Sequence, residues 1–225
     1  MRALFILLTF CFSTAIYAGN CEENTFEGTL ILTAKGSAKG VPQKIKLTVK
    51  GNNVLIDATE SNKQAPILLL NSKTGDVHIL SIQDGKKMAV RLNTRSLEPI
   101  GGISAIINTY GLDVDGKAKG TVTATNEVKK LNGFNCKKYL VKDDEYDSEF
   151  WITEELGMSL PALLGNVSPE NNLPKGMILE GKGKKLKEEG GFAFKVEPTK
   201  EAIEAKLFAI PSEFKVMDIT MLIDQ

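Results

Sequence analysis

Hydrophobic and polar residues alternate with a period of two along most of this chain. In TFEGTLILT, Phe26, Gly28, Leu30 and Leu32 fall on one face; in KIKLTVK, Ile45, Leu47 and Val49 alternate with Lys44, Lys46, Thr48 and Lys50. Such alternation predicts half-buried strands. NNVLIDA continues it with Val54, Ile56 and Ala58, and APILLLNSKTGDVHILSIQDGKKMAVRLN adds three apolar runs separated by NSKTGD and QDGK. Asp-Gly between alternating runs is a strong hairpin signal, so this stretch is expected to form an antiparallel meander. Strands resume at GTVTAT, at Phe134–Lys142 and at Ser148–Thr153. GMILEGKGKKL, GGFAFKVEP and EAKLFAIPSEFKV read as a closing set, and the tail MDITMLIDQ is open between a last strand and a short helix.

Two apolar segments break the alternation. In residues 97–111, Leu97, Ile100, Ile103, Ile106 and Ile107 recur at helical spacing, while Gly101 and Gly102 each weaken a helix by about 1 kcal/mol relative to alanine. Residues 154–176 carry Leu156, Met158, Leu160, Leu163, Leu164 and Val167, with Gly157, Pro161, Gly165 and Pro169 preventing one long helix. An antiparallel sheet of about ten strands curls as its strands twist, and one face then needs a cover. The expected fold is therefore mainly β with short helices (α+β): a strongly curved antiparallel half-barrel under a helical lid formed by these two segments. Whether the lid encloses a cavity or seals a filled core stays open, and periodicity alone favours the filled core.

The N-terminus changes the picture by setting a compartment. MRALFILLTFCFSTAIYAGN has one positive charge, an apolar run from Ala3 to Phe12 and small residues up to Ala18, the pattern of a secretory signal peptide. Residues 1–18 are expected to be that leader, with cleavage after Ala15 as the rival, and residues 19–225 a single domain. The protein is then periplasmic or secreted. A leader retained as an anchor and a lipid-modified Cys21 are the alternatives. Cleavage removes Cys11 and leaves Cys21 and Cys136 as candidates for a disulfide, which would close a loop of roughly 115 residues and stabilise by about 5 kcal/mol in the chain-entropy model. Separately buried thiols are the alternative.

Charge excludes more than it suggests. The 28 basic and 28 acidic side chains cancel, which argues against nucleic acid as a partner. Arg2, Arg91 and Arg95 are the only arginines, so bidentate anion clamps are scarce. His78 is the only histidine; it shares a face with Leu80 and Ile82, and without a nucleophile or further ligands it supports neither a triad nor a zinc site. Asp143, Asp144, Glu145, Asp147 and Glu149 read as a solvated hairpin turn, since their spacing matches no calcium loop. The lysines of Lys182–Glu189 read as a solvated hairpin tip, with transient membrane contact as a lesser role. Cys136 lies on the apolar face of a strand with Phe134, and no histidine stands near it in sequence, so it reads as scaffold. No enzyme, cofactor or metal site is expected.

NGFNCKKYLV, the acidic turn, EFWITEELGM, LPKGMILEG and KLFAIPSEFKV together resemble an uncharacterised family of exported bacterial proteins. That family is itself similar to the periplasmic lipoprotein carriers and receptors of the Lol type (LolA/LolB-like), and the likeness covers most of residues 25–218. It implies a half-barrel with a helical lid over a hydrophobic cavity that holds acyl chains. The carriers' lid-latching arginine has only Arg91 as a candidate, so the likeness implies generic lipid binding more than lipoprotein transfer. Burying about 12 methylenes at roughly 0.8 kcal/mol each offers near 10 kcal/mol before ordering costs, with no charged anchor needed. The expected function is a non-enzymatic, monomeric binding protein for an acyl chain or other lipophilic molecule. Ile103, Ile106, Ile107, Leu160, Leu163 and Leu164 are the cavity and lid residues, and an envelope structural or interaction domain with a filled core is the alternative.

Overall fold

The computed structural model describes residues 25–35, 44–83, 85–93, 121–142, 146–158, 176–187 and 189–219. Alternation becomes strand almost everywhere it was read. The first meander comprises β1 (Glu27–Lys35), β2 (Lys44–Lys50), β3 (Asn53–Asp57), β4 (Ile67–Asn71), β5 (Asp76–Gln83) and β6 (Lys86–Asn93). The second comprises β7 (Thr121–Leu131), β8 (Phe134–Lys142), β9 (Tyr146–Thr153), β10 (Met177–Lys185) and β11 (Gly191–Lys200), and β12 (Lys215–Asp218) closes the chain. Local turn chemistry joins neighbours. Asn71 Oδ1 accepts from the amides of Lys73 and Thr74 between β4 and β5. Asn132 and Gly133, at φ 49° and 90°, turn β7 into β8, because a two-residue hairpin loop of this hand needs both central residues left-handed.

All 12 strands form one sheet in the order β12-β6-β5-β4-β3-β2-β1-β11-β10-β9-β8-β7. Each meander is antiparallel, the two meet where β1 pairs with β11, and β12 lies parallel to β6. The register brings Gly28 opposite Lys200 at that seam, where a side chain on Gly28 would place its Cβ 2.1 Å from the Thr199 carbonyl oxygen.

The period of two sorts side chains onto two faces. Leu30, Leu32, Leu47, Val49, Val54, Leu68, Leu70, Val77 and Leu92 share the core face of the first meander by register. Val141, Phe150, Ile152, Phe194 and Val196 continue it across the second. These residues belong to one buried hydrophobic cluster. On the opposite, outer face a smaller cluster of Leu69, Leu80 and Ala89 packs with Leu55, Ile67, Ile210 and Phe214. Ile210 and Phe214 come from the segment between β11 and β12, which was expected to be a strand. It is instead a single 3-10 turn (Ala205–Phe208) and an irregular run whose side chains cap the outer face. A salt-bridged clip starts this strap. Glu27 accepts from the Ile203 amide (2.8 Å) and from Lys50 Nζ (2.8 Å), and Lys50 Nζ also donates to the Ile203 carbonyl (2.6 Å).

The α+β half-barrel under a helical lid is corrected by this architecture. The strand order is linear and open, and among the described residues there is no α-helix and no helical lid. Of the second apolar segment, the described part is a turn rather than a helix. Gly157 is left-handed (φ 63°), a Cβ there would lie 2.3 Å from Thr25 Oγ1, and Leu156 and Met158 are buried beside it. The chain leaves β9 through a tight, glycine-dependent corner, which α-helical dihedrals could not make. Of the ambiguous tail, Met217 and Asp218 end the strand Lys215–Asp218, and residues 220–225 lie outside the described residues.

Candidate functional site

Ile103, Ile106, Ile107, Leu160, Leu163 and Leu164, the sequence-derived lid residues, lie outside the described residues, as do Cys21 and the leader. The core face beneath them is described. At its centre Leu30, Val49 and Val54 are fully excluded from solvent. Towards both margins the apolar surface becomes half-buried: Ile56, Ile79 and Val90 on β3, β5 and β6, and Val122 and Tyr139 on β7 and β8. Burial pushes the Tyr139 phenol above its usual range, and the Glu154 carboxylate adds to that.

Among the described residues, the second meander carries the one chemically anomalous group on this face. Register places Val122, Val141, Ser148 and Gly183 in one cross-strand row, and Tyr139, Phe150, Gly181 and Phe194 in the next. Phe150 and Phe194 fill the space over Gly181, where a Cβ would lie 2.2 Å from one ring and 2.8 Å from the other. Their centroids are 6.4 Å apart with the planes tilted by 36°. Ser148, beside Phe150, is 3% exposed, and its hydroxyl has no hydrogen-bond partner among the described residues. An unpaired buried hydroxyl costs about 1–3 kcal/mol. Sequence reasoning missed it, although the signal was present. In YDSEFWIT the core-face positions read Tyr146, Ser148, Phe150, Ile152, a polar residue inside an otherwise apolar alternation.

The outer face of the same strands is organised by charge. Glu149 bridges Lys182 (2.6 Å) and Lys138 (3.3 Å), Lys138 also reaches Glu127 (3.1 Å), and Lys129 pairs with Glu180 (3.1 Å). Burial raises the Glu149 carboxyl, but the hydrogen bonds from Lys182 and Lys138 outweigh it and hold the group below the usual range. Lys129 Nζ sits 4.1 Å from the centroid of Trp151, with Lys138 on the same ring at 5.8 Å, a stacked cation–π arrangement. An open groove of about 550 Å³ runs past Leu140, Glu149, Lys182 and Ala193, and its lining includes Ser148 and Gly183.

The remaining sequence candidates fall elsewhere. His78 is half-buried on the outer face opposite Arg91, and burial first, then the Arg91 charge, push its imidazole below the usual range. Arg91, the candidate latch, reaches Asp76 (3.2 Å) and Asp218 (3.5 Å), so it ties β5, β6 and β12 together. Cys136 is a fully buried free thiol, 3.6 Å from the Phe134 carbonyl, and burial raises its ionisation above the usual thiol range. A thiol held protonated is a poor nucleophile. Its pairing with Cys21 involves a residue outside those described.

The family model described as a domain of unknown function (DUF4412) matches residues 26–214. Comparison with curated proteins yields no match. Among solved structures the chain is similar to PNGF-II in a C2 crystal form, at 17% identity and a TM-score of 0.43, over 87% of this chain and 31% of that one. It is similar to PNGF-II in a P21 form at 16% identity and a TM-score of 0.42, over 86% and 31%. The chain thus spans 31% of the length of those structures.

Proposed function

The chain belongs to the DUF4412 family of unknown function, and from that premise we propose that it is an exported, non-catalytic binding domain that holds an acyl chain or another lipophilic molecule against the core face of its sheet. The observation that carries this reading is the apolar continuity of that face from β6 to β9, with half-buried rows left at both margins. The site is assigned to the margins rather than the centre. Side chains bordering a void wider than a water retain accessible area, and Leu30, Val49 and Val54 retain none. Val122 and Tyr139 on one side, and Ile56, Ile79 and Val90 on the other, still offer apolar surface. The leader-like residues 1–18 support export, and the sequence likeness to Lol-type carriers supports an acyl ligand. Ion pairing also favours binding over catalysis, because Glu149, Lys138 and Arg91 are each held by an oppositely charged side chain of the sheet.

The test is organic-solvent extraction of protein purified natively from its own envelope, followed by mass spectrometry of the extract. Lipid in stoichiometric amount, together with saturable binding of a fluorescent apolar probe by the delipidated protein, is the expected result. An empty extract and no probe binding would leave the filled-core interaction domain in its place.

A further inference from the structure

Lys137 is the charged side chain that the alternation of β8 turns onto the core face. Register sets it opposite Val128 on β7 and Ile152 on β9, one step along the strand from Tyr139. Its neighbour Lys138 points to the outer face and is held there by Glu127 and Glu149. Lys137 is exposed and makes no ion pair among the described residues; its ammonium stands 6.0 Å from the centroid of the Tyr139 ring. The surface round it is apolar and accessible: Val128 is 65% exposed, and Val122 and Tyr139 are half-buried. A ligand therefore reaches these groups from the open margin of the sheet, without an enclosed cavity. Other charges are near. Lys130 is exposed on the same face opposite Asn135, Glu154 acts on Tyr139, and Glu155 accepts from Asn135 at 2.7 Å. Neither glutamate forms a salt bridge with Lys137.

We propose that Lys137 pairs with the carboxylate of a fatty acid whose chain lies along β8 past Tyr139 to Val122, so that the domain prefers free fatty acids to their neutral esters. This rests on the lipophilic-ligand reading above and adds the chemistry of the head group. A lysine lays its apolar stem on apolar surface and keeps its ammonium in water. That is the complement of a ligand with an apolar tail and one negative charge. Two residues along a strand span about 6.6 Å, so Lys137, Tyr139 and Val141, the partner of Val122, mark out about 13 Å of one face. The ammonium is a compact point charge that a single carboxylate satisfies. The strands from β7 to β11 carry no arginine to clamp a phosphate head in two-pronged fashion.

The experiment compares delipidated wild type with Lys137→Met, which keeps an apolar stem of similar length, with Lys137→Glu and with Lys137→Arg. Each is loaded with diphenylhexatriene, an apolar fluorescent hydrocarbon, and challenged with laurate or methyl laurate. The titrations are run at about pH 8, where carboxylate and ammonium are both charged, and thermal midpoints are measured in parallel. Wild type is expected to release the probe to laurate at lower concentration than to methyl laurate. That preference should fall about fivefold in Lys137→Met, the upper end for one accessible ion pair, and further in Lys137→Glu. It should persist in Lys137→Arg and shrink in wild type at high salt, which screens exposed charges. Methyl laurate competition and thermal midpoints should stay at wild-type values throughout. No preference for laurate in wild type, or the same preference in Lys137→Met and Lys137→Glu, overturns the anchor and leaves the lipophilic site standing. An equal loss of laurate and methyl laurate competition in Lys137→Met overturns it too, since the side chain would then act by packing. No probe binding by any of the four proteins overturns the underlying reading itself.

Discussion

At the scale of single residues, polar groups set against apolar ones decide where this molecule responds to its surroundings. His78 faces Arg91 in register, with Asp76 and Asp218 acting on it from β5 and β12. Burial holds its folded-state ionisation below the unfolded value of 6.5. The unfolded chain then binds the extra proton first, so the His78 contribution is fully present above pH 6.5 and is lost as pH falls through the folded-state value. Denaturant midpoints of wild type should decline below pH 6.5, and His78→Gln should flatten that segment of the profile; an unchanged slope would show that His78 titrates alike in both states. His78 was readable as a strand residue from DVHILSI, and its face with Leu80 and Ile82 holds. Its partner Asp218 was not readable, because β12 reaches β6 from a distant part of the chain.

At the scale of elements, the seam between β1 and β11 carries the architecture, since it is the pairing that joins the two meanders. Gly28 permits it by having no side chain where the Thr199 carbonyl approaches, and by its φ of 152°. Gly28→Ala should destabilise the fold by on the order of 1–3 kcal/mol, through contact with backbone that cannot step aside. Chemical denaturation would show it as a lowered midpoint, and a midpoint equal to wild type would mean the seam opens to admit a methyl group. The hairpins were legible from QDGK and NSKTGD because turn chemistry is local. Asn132-Gly133 offered the same signal, and with it β7 extends to Leu131, beyond the GTVTAT run first read as strand. The part of the strap from Glu204 to Phe214 was misread as strand. Its apolar residues answer to the outer-face cluster they cover, not to a partner strand.

For the whole molecule, one buried cluster includes residues of both meanders, from Leu92 on β6 through Leu30 on β1 to Phe150 on β9. Unfolding of either half would strip the other of core contacts, so the described domain should unfold as a unit. Fluorescence of Trp151, the single tryptophan and a residue of the second meander, should therefore change at the same denaturant concentration as far-UV circular dichroism, which reports all strands. A Trp151 transition well separated from the other would mean that the seam does not couple the halves.

By itself the sequence determined that this protein is built of strands, where most of them turn, and which side chains within a strand share a face. Those properties have a period of two and act between neighbours along the chain. Only the tertiary structure decided that the sheet is open, that β11 closes onto β1, that β12 runs parallel to β6 and that the strap packs on the outer-face cluster of the first meander. These are choices among pairings of distant segments with similar apolar patterns, and packing rather than local pattern separates them. Ser148 stands between the two. Its place in the alternation was written in the sequence, but its want of a partner among the described residues emerged only once Val141, Gly183 and Phe150 had closed around it.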